Sequence, residues 1–446
     1  MSPGAEDLPV CIVGAGPAGL AAARALRRLG IAYEQFERHR DVGGIWDLEN
    51  PGTPMYRSAH FISSRRQSGF FDYPMPDHYP DYPGHRQILE YARAFARDHG
   101  LYAAIRFGRA VEQAEPVDDG SWRVRLADGE TRRYRALICA SGSNWHPYLP
   151  RHPGDFAGEI RHSVSYRDPE EFRGRRVLVI GAGNSGCDIA CDAAANAEAA
   201  FISLRRGYHF IPKHIFGIPA DEFAERGPKL PMWLEQRLFG WMLRLMVGRL
   251  SRFGLPEPDH RIFESHPILN SQLLHYLQHG DIAARGDVAG FEGGEVVFRD
   301  GRRERIDLVL YATGYQWRIP YVPESCFDWD GGRPQLYLTA FSARTRNLFG
   351  LGYLETNSSA YTLFDHIAQL IANHLDDQVR RPDRAAAFTQ QIREDRTPLH
   401  NGLRFVDSPR HKAYIEIAAY KRHIEHLRRQ MGWPALVPGY FAALRA

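Results

Sequence analysis

One local pattern occurs twice in this chain and dictates most of what it can fold into. A short apolar run, Val10 to Val13, leads through Gly14-Ala15-Gly16-Pro17-Ala18-Gly19 into an Ala/Leu-rich stretch that stops near Gly30, and a second run closes at Glu37. The opening returns as Val177 to Ile180, the glycines as Gly181-Ala182-Gly183-Asn184-Ser185-Gly186, and the closing run as Phe201 to Leu204, followed by Arg205 and Arg206. A GxGxxG alone is a weak signal. Between a strand and a helix, with a second strand to follow, it is the phosphate-binding turn of a doubly wound α/β unit. The first glycine permits the tight turn, the second lets a pyrophosphate approach the backbone, and the third lets helix and strand pack closely. The helix N-terminus then turns unpaired N–H groups on the anion.

The two copies also end alike. Val124 to Leu126 meets an Asp128-Gly129 turn and returns through Leu137 and Ile138 to Ala140-Ser141-Gly142, while Val296 to Phe298 meets Asp300-Gly301 and returns through Leu308 to Leu310 to Ala312-Thr313-Gly314. Asp-Gly between apolar runs is a hairpin signal. The Asp-to-Gly spacing is the same from Asp128 to Gly142 as from Asp300 to Gly314. The expected fold is therefore α/β, with two Rossmann-like dinucleotide-binding domains, the second inserted into the first. The segment from Ser141 to Arg176, rich in Pro, His and Gly, reads as a linker. After Gly314 an apolar strand, Asn347 to Gly352, precedes a helix from about Tyr361 to Leu375.

The residues that close the two units differ in charge. Glu37 stands about twenty residues past its glycine motif, where a carboxylate accepts hydrogen bonds from a ribose diol and repels a 2′-phosphate. Arg205 and Arg206 take that place in the second copy, and guanidinium groups pair with phosphate oxygens. Surface charge is the plainer account of these arginines. One acidic and one basic module point to two nucleotides: the first suits the adenosine of FAD or NAD, the second NADPH. The economical reading is a bound flavin reduced by a diffusible nicotinamide. Gly43-Gly44-Ile45-Trp46 follows closely, its glycines allowing the chain to pass a flat cofactor and Trp46 shielding it, although an ordinary turn has the same composition.

Other classes are disfavoured. A chain of 446 residues exceeds one ordinary core and divides into two or three packed units. A formal charge of +3 gives no basis for a general nucleic-acid binder, and the Arg302, Arg303 and Arg305 cluster reads as solvated surface. The five cysteines, Cys11, Cys139, Cys187, Cys191 and Cys326, include no CxxC, which fits a reducing, cytoplasmic compartment rather than a disulfide framework. Cys187 and Cys191 lie four apart on an expected helix and read as helix packing, and no metal site is expected. There is no secretory signal and no transmembrane run. Trp233 to Leu250 carries Glu235, Arg237, Arg244 and Arg249, as an amphipathic or partly buried helix would; an interfacial membrane helix is the alternative.

In these residues the sequence resembles the flavin-containing monooxygenase family, within the class B flavoprotein monooxygenases. Phe156, Gly158, His162 and Tyr166 match its FxGxxxHxxxY fingerprint, although His162 alone would pass for a turn or capping residue. Gly181 to Asp188 (GAGNSGCD), Gly43 to Trp46 and Ala312-Thr313-Gly314-Tyr315 also match. The resemblance covers nearly the whole chain. It implies an FAD-binding domain in residues 1–166 and 311–446, the latter with the C-terminal helices, and an NADPH-binding domain in 167–310. It implies FAD contacts at Gly14, Gly16, Pro17, Ala18, Gly19, Glu37, Arg38, Gly44, Ile45, Trp46, Ser141, Gly142, Thr313 and Gly314. NADPH contacts follow at Gly181, Gly183, Asn184, Ser185, Gly186, Asp188, Arg205 and Arg206. The implied partners are O2, a small-molecule substrate and a second copy of the chain in a homodimer. The implied reaction passes through a flavin C4a-hydroperoxide, which transfers one oxygen atom to a nitrogen or sulfur nucleophile. Tyr166 favours that branch over Baeyer–Villiger oxygenation of ketones.

One position departs from the family. Where its members place an Asn beside the flavin, this chain has Ile62, which offers no side-chain hydrogen bond; Ser63 and His60 are the candidates to replace it. An NADPH oxidase releasing hydrogen peroxide is accordingly an alternative, and a flavin-binding redox sensor without turnover is the non-enzyme reading. Tyr208 to Phe253 reads as a substrate channel, a subunit interface or an insertion core. Tyr56, Phe70, Phe71 and Tyr73 are candidates for an apolar pocket or for plain core.

Overall fold

Both glycine patterns fold as strand, turn and helix. The structure, a computed structural model, describes residues 5–444 except Lys229; the outermost positions of the expected first and last segments, 1–4 and 445–446, lie outside the described residues. Strand Val10–Val13 is buried along its whole length, as a parallel strand covered on both faces must be. Helix Pro17–Arg28 starts on a proline, which supplies a helical φ where no N–H is needed, and buries its alanine face.

Each unit contains a five-stranded parallel sheet in which four strands follow one order, while the fifth, an outer strand, comes from the later part of the chain in the first unit and from the start of the unit in the second. In the first, Leu348–Gly350, Ala136–Cys139, Val10–Val13, Tyr33–Glu37 and Ile105–Phe107 lie side by side. In the second, Glu159–His162, Leu308–Tyr311, Arg176–Ile180, Ala199–Ser203 and Ile282–Arg285 do so. The first sheet takes its outer strand from beyond the second unit, so the second is inserted into the first. The Asp-Gly turns join antiparallel strands, Trp122–Leu126 to Thr131–Tyr134 and Glu295–Phe298 to Arg303–Arg305.

The stretch expected as a linker is not one. Glu159–His162 forms the edge of the second sheet and Gly154–Phe156 pairs with Val288–Gly293, so two strands of the second unit lie before the boundary expected at 166–167. Proline and glycine masked them: Gly154 sits at φ 90°, and a Cβ there would lie 1.9 Å from the Phe291 carbonyl oxygen. The closing strand also runs to Tyr311, one residue past the expected end.

The C-terminal part returns to the first unit. Helix Tyr361–Arg380, longer than expected, packs along Pro17–Arg28. An ion pair ties the two helices: Arg24 Nη2 lies 2.6 Å from Asp365 Oδ1, both side chains fully buried. Its guanidinium sits between Phe95 (4.6 Å) and Phe441 (3.8 Å).

Between the second unit's strands, Phe210 to Phe263 builds a small core of its own from Ile211, Ile215, Ala220, Leu243 and Ile262. Helix Met232–Val247 sends Gln236 and Leu243 inward and leaves Trp233, Leu238, Trp241 and Leu245 exposed. Among the described residues no helix is long and apolar enough to cross a membrane. All five cysteines are buried and unpaired, and no cluster of three or more metal-ligating side chains occurs among the described residues.

Candidate functional site

The two glycine turns are near copies in space. Gly14 and Gly181 both sit at φ 105°, where an L side chain is strained. A Cβ on either would fall 2.5 Å from the Ala140 carbonyl oxygen or 2.6 Å from that of Ala312. On Gly19 or Gly186 it would fall 2.0 Å from the carbonyl oxygen of Gly14 or Gly181. These glycines are required by the protein's own packing. The middle glycines differ: Gly16 faces Gly44, 3.5 Å from a Cβ position, whereas a Cβ on Gly183 would meet nothing within 4 Å.

Glu37 is buried at its strand end, accepting the Ala15 N–H at 2.6 Å and the His39 N–H at 2.8 Å. Each carboxylate oxygen keeps a further lone pair for a hydroxyl donor. Arg38 lies 4.0 Å over the ring of Trp145, whose Nε1–H donates to the Ser141 carbonyl at 2.7 Å. A Cβ on Gly142 would lie 3.0 Å from that indole nitrogen. Glu37, Arg38, Ser141 and Gly142 thus gather as expected, with Trp145 an addition that sequence reasoning missed. Ser141 Oγ is further fixed by the hydroxyls of Tyr353 (2.9 Å) and Tyr321 (3.1 Å).

A cavity of about 1540 Å³ opens between the units, lined by Gly181 to Gly186, Asp188, Arg205, Arg206, Thr313 and Gly314 from one side and by Trp46, Tyr56, His60, Ile62 and Ser63 from the other. Its size exceeds a single drug-sized ligand site. Thr313 and Gly314, expected beside the first nucleotide, follow the strand that closes the second sheet and line the cavity, with the Thr313 backbone nitrogen near the Gly181 turn. Of the four aromatics considered for a pocket, Tyr56 alone lines this cavity, while Phe70 stacks in the core on Phe95 at 3.8 Å. Trp46 stacks on Phe61 at 5.1 Å and Phe61 meets Tyr361 edge-on at 5.3 Å, giving the cavity an apolar wall. Arg205 and Arg206 make no ion pair with any carboxylate of the described residues, and Arg206 lies 5.3 Å over the Tyr208 ring with its Nε buried and unpartnered.

The fingerprint acts as a clasp. His162 Nδ1 accepts the Val164 N–H at 3.1 Å, so its proton is on Nε2, which donates to the Gly314 carbonyl at 3.1 Å. Burial drives its pKa down to about 4. Tyr166 stacks on Phe172 at 4.9 Å and donates to Asp192 at 2.8 Å. Phe156 packs on Phe291, and Gly158 leaves room for the Asp307 carbonyl.

Beside Ile62 the chain assembles polar groups. Ser63 Oγ is taken by Ser68 Oγ at 2.7 Å. His60 Nδ1–H donates to the Ser58 carbonyl at 3.1 Å, leaving Nε2 as an acceptor for the Lys213 ammonium, which touches it. Lys213 is held through its own backbone by Ser271 and Tyr82. Asp188 accepts from Asn270 at 2.8 Å; burial raises its pKa, and the electrostatics of the neighbouring His60–Lys213 pair pull it back. Lys213 lies outside every motif, and only the tertiary fold brings it here.

Two parallel sheets, each with a glycine turn leading from its central strand into a helix, define a protein with two dinucleotide-binding Rossmann-like domains. The sequence matches the family described as Flavin-binding monooxygenase-like over residues 8–417, and the chain belongs to that family. Flavin-containing monooxygenase 5 of Homo sapiens is 32% identical over 339 residues, covering 71% of this chain and 63% of that protein. The match thus spans less than two thirds of that relative's length. Indole-3-pyruvate monooxygenase YUCCA1 of Oryza sativa subsp. japonica is 31% identical over 406 residues, covering 85% of this chain and 94% of the relative. Among solved structures, the S-allyl-L-cysteine S-oxygenase from Allium sativum shares the fold with a TM-score of 0.66 at 21% identity, over 98% of this chain and 91% of that one. Cyclohexanone monooxygenase from Rhodococcus sp. Phi1 bound to NADP+ does so at 0.69 and 17% identity, over 95% and 97%.

Proposed function

We propose that this protein is an FAD- and NADPH-dependent monooxygenase that places one oxygen atom of O2 on a nitrogen or sulfur of a small molecule. One observation carries the reading: two near-identical glycine turns, one closed by a buried carboxylate and the other, which lines the cavity between the units, by two guanidiniums that pair with no carboxylate of the described residues. The residues present fit both groups. Gly16 and Gly44 pack backbone to backbone at the first turn, with no side chain between them, and Glu37 stands at the strand end to accept ribose hydroxyls. At the second, Gly183 opens onto the cavity at the start of helix Asn184–Asn196, whose first N–H groups meet a pyrophosphate. Arg205 and Arg206 then receive the 2′-phosphate.

FAD, when bound, supplies hydride acceptance from NADPH and the activation of O2. The chain itself orients and excludes water: Trp46, Phe61 and Tyr361 form a dry wall, and His162 fixes Gly314 at the cavity edge. Ile62 places an apolar group where the family has an amide, which favours a second reading in which NADPH oxidation ends in hydrogen peroxide.

Purified yellow protein mixed with NADPH without oxygen bleaches on this reading. Admitting air with a panel of amines, sulfides and ketones then yields products heavier by one oxygen atom among the amines or sulfides. Ketone products alone would reassign the reaction, peroxide equal to NADPH consumed would establish the second reading, and absence of bleaching would leave a flavin-binding sensor.

A further inference from the structure

The C-terminal segment after helix Pro382–Glu394 reaches across to the second unit. The Val406 N–H donates to the Glu264 carbonyl at 2.8 Å, and the Tyr414 hydroxyl meets His266 Nδ1 at 3.2 Å. Between these anchors, Ser408, Pro409 and Arg410 form part of the cavity wall, as do Ser265 and His266 opposite.

Arg410 is held from one side only. Its Nε donates to Glu355, which leaves both terminal guanidinium nitrogens without a protein partner, and its side chain is 40% exposed. Glu355 also faces Arg333, at 3.7 Å. Arg333 is buried, stacked 3.8 Å from the Trp317 ring, with Nε on the Pro409 carbonyl at 3.1 Å and Nη1 unpartnered. One carboxylate therefore serves two guanidiniums, and burial with the neighbouring Arg410 charge overcomes Glu355 to pull Arg333 down to about 10. The wall is short of negative charge. It lines the same cavity as Arg205, Arg206 and Tyr208, the ring under Arg206, and next to Arg410 the pKa of His411 is lowered by burial and by the charges of both Arg410 and Arg206.

We propose that Arg410 is a third phosphate-binding guanidinium, reaching from the first unit to grip the 2′-phosphate of NADPH together with Arg205 and Arg206 of the second. The proposal rests on the NADPH reading above. An exposed Arg fork with its Nε tied to a carboxylate presents two parallel N–H groups, the geometry that suits phosphate oxygens. Because the three arginines come from both units, the phosphorylated nucleotide links the units and an unphosphorylated one does not.

The test is equilibrium binding to the full-length flavin-loaded protein, with adenosine 2′,5′-bisphosphate and AMP as probes, which differ only in the 2′-phosphate. The wild type prefers the bisphosphate strongly. Arg410→Gln lowers that preference about tenfold by weakening the bisphosphate alone, and Arg410→Lys restores part of it. The Arg205→Gln, Arg206→Gln double variant serves as the reference. If that variant loses the preference while Arg410→Gln keeps it, the proposal is overturned and the NADPH reading stands. If the wild type binds both probes equally, the NADPH reading itself fails. Equal weakening of both probes by Arg410→Gln reduces Arg410 to a structural role and also overturns the proposal.

Discussion

The imidazole of His162 donates its single proton, on Nε2, to the carbonyl oxygen of Gly314, 152 positions later in the chain. This bond joins the edge strand of the second sheet to the turn that follows its closing strand. Only the neutral ring makes this bond and accepts the Val164 N–H at once, because a protonated Nδ1 would confront that N–H.

A pH dependence follows. Burial lowers the folded pKa of His162 from 6.5 to about 4. The unfolded chain therefore takes up a proton that the folded chain refuses, so the contribution is present above 6.5 and is lost as pH falls towards 4. His162→Gln keeps an N–H for Gly314 and does not titrate. Denaturant midpoints near neutral pH and again at the acid end should show the wild type losing roughly 1–3 kcal/mol relative to this variant. Parallel loss in both proteins would contradict the assignment.

The middle and last glycines of the second turn should respond oppositely to alanine. Gly186→Ala drives a methyl into the Gly181 carbonyl at 2.0 Å and should prevent or badly impair folding. Gly183 has extended backbone, φ −70° and ψ 176°, with open space beside it. Gly183→Ala should fold with a loss under about 1 kcal/mol and bind NADPH at least about tenfold more weakly. Thermal melts and NADPH titrations decide between this and a purely structural role.

Arg205→Ala with Arg206→Ala removes two guanidiniums that line the cavity and pair with no carboxylate of the described residues. Stability should change by no more than about 1 kcal/mol. The KM for NADPH should rise roughly 10–100-fold while that for NADH stays near its starting value. Equal changes in both would refute the phosphate assignment.

Ile62 is accessible from the cavity, beside His60 and Ser63. Ile62→Asn would supply a side-chain amide at this place. It should lower the share of NADPH consumption ending as peroxide by at least about threefold, a difference near 0.6 kcal/mol in the partition. Peroxide and NADPH measured together test this; an unchanged ratio would mean that the His60–Lys213 pair already fills the role.

Much of this was legible from residue order alone. The strand–glycine–helix pattern, the two Asp-Gly hairpins and the charge contrast between Glu37 and Arg205 are local, and local spacing is what a sequence displays. The edge strands were not. Gly154 and Pro153 look like loop chemistry, and only the backbone of Phe291 lying against Gly154 makes a strand there. The C-terminal arginines were invisible for the same reason: Arg333 and Arg410 share one carboxylate across 77 positions, with no motif to announce it. Thr313 and Gly314 follow the closing strand of the second sheet and line the cavity between the units, a place that matched endings in a duplicated plan do not display.

The strand Leu348–Gly350 has a further meaning for synthesis. When the ribosome has released residue 311, every strand of the later-encoded sheet is available, whereas the earlier-encoded one still waits for its outer member. The nascent chain therefore can finish its middle before its beginning, and a stop codon placed between 311 and 348 would strand the amino-terminal half with an open edge.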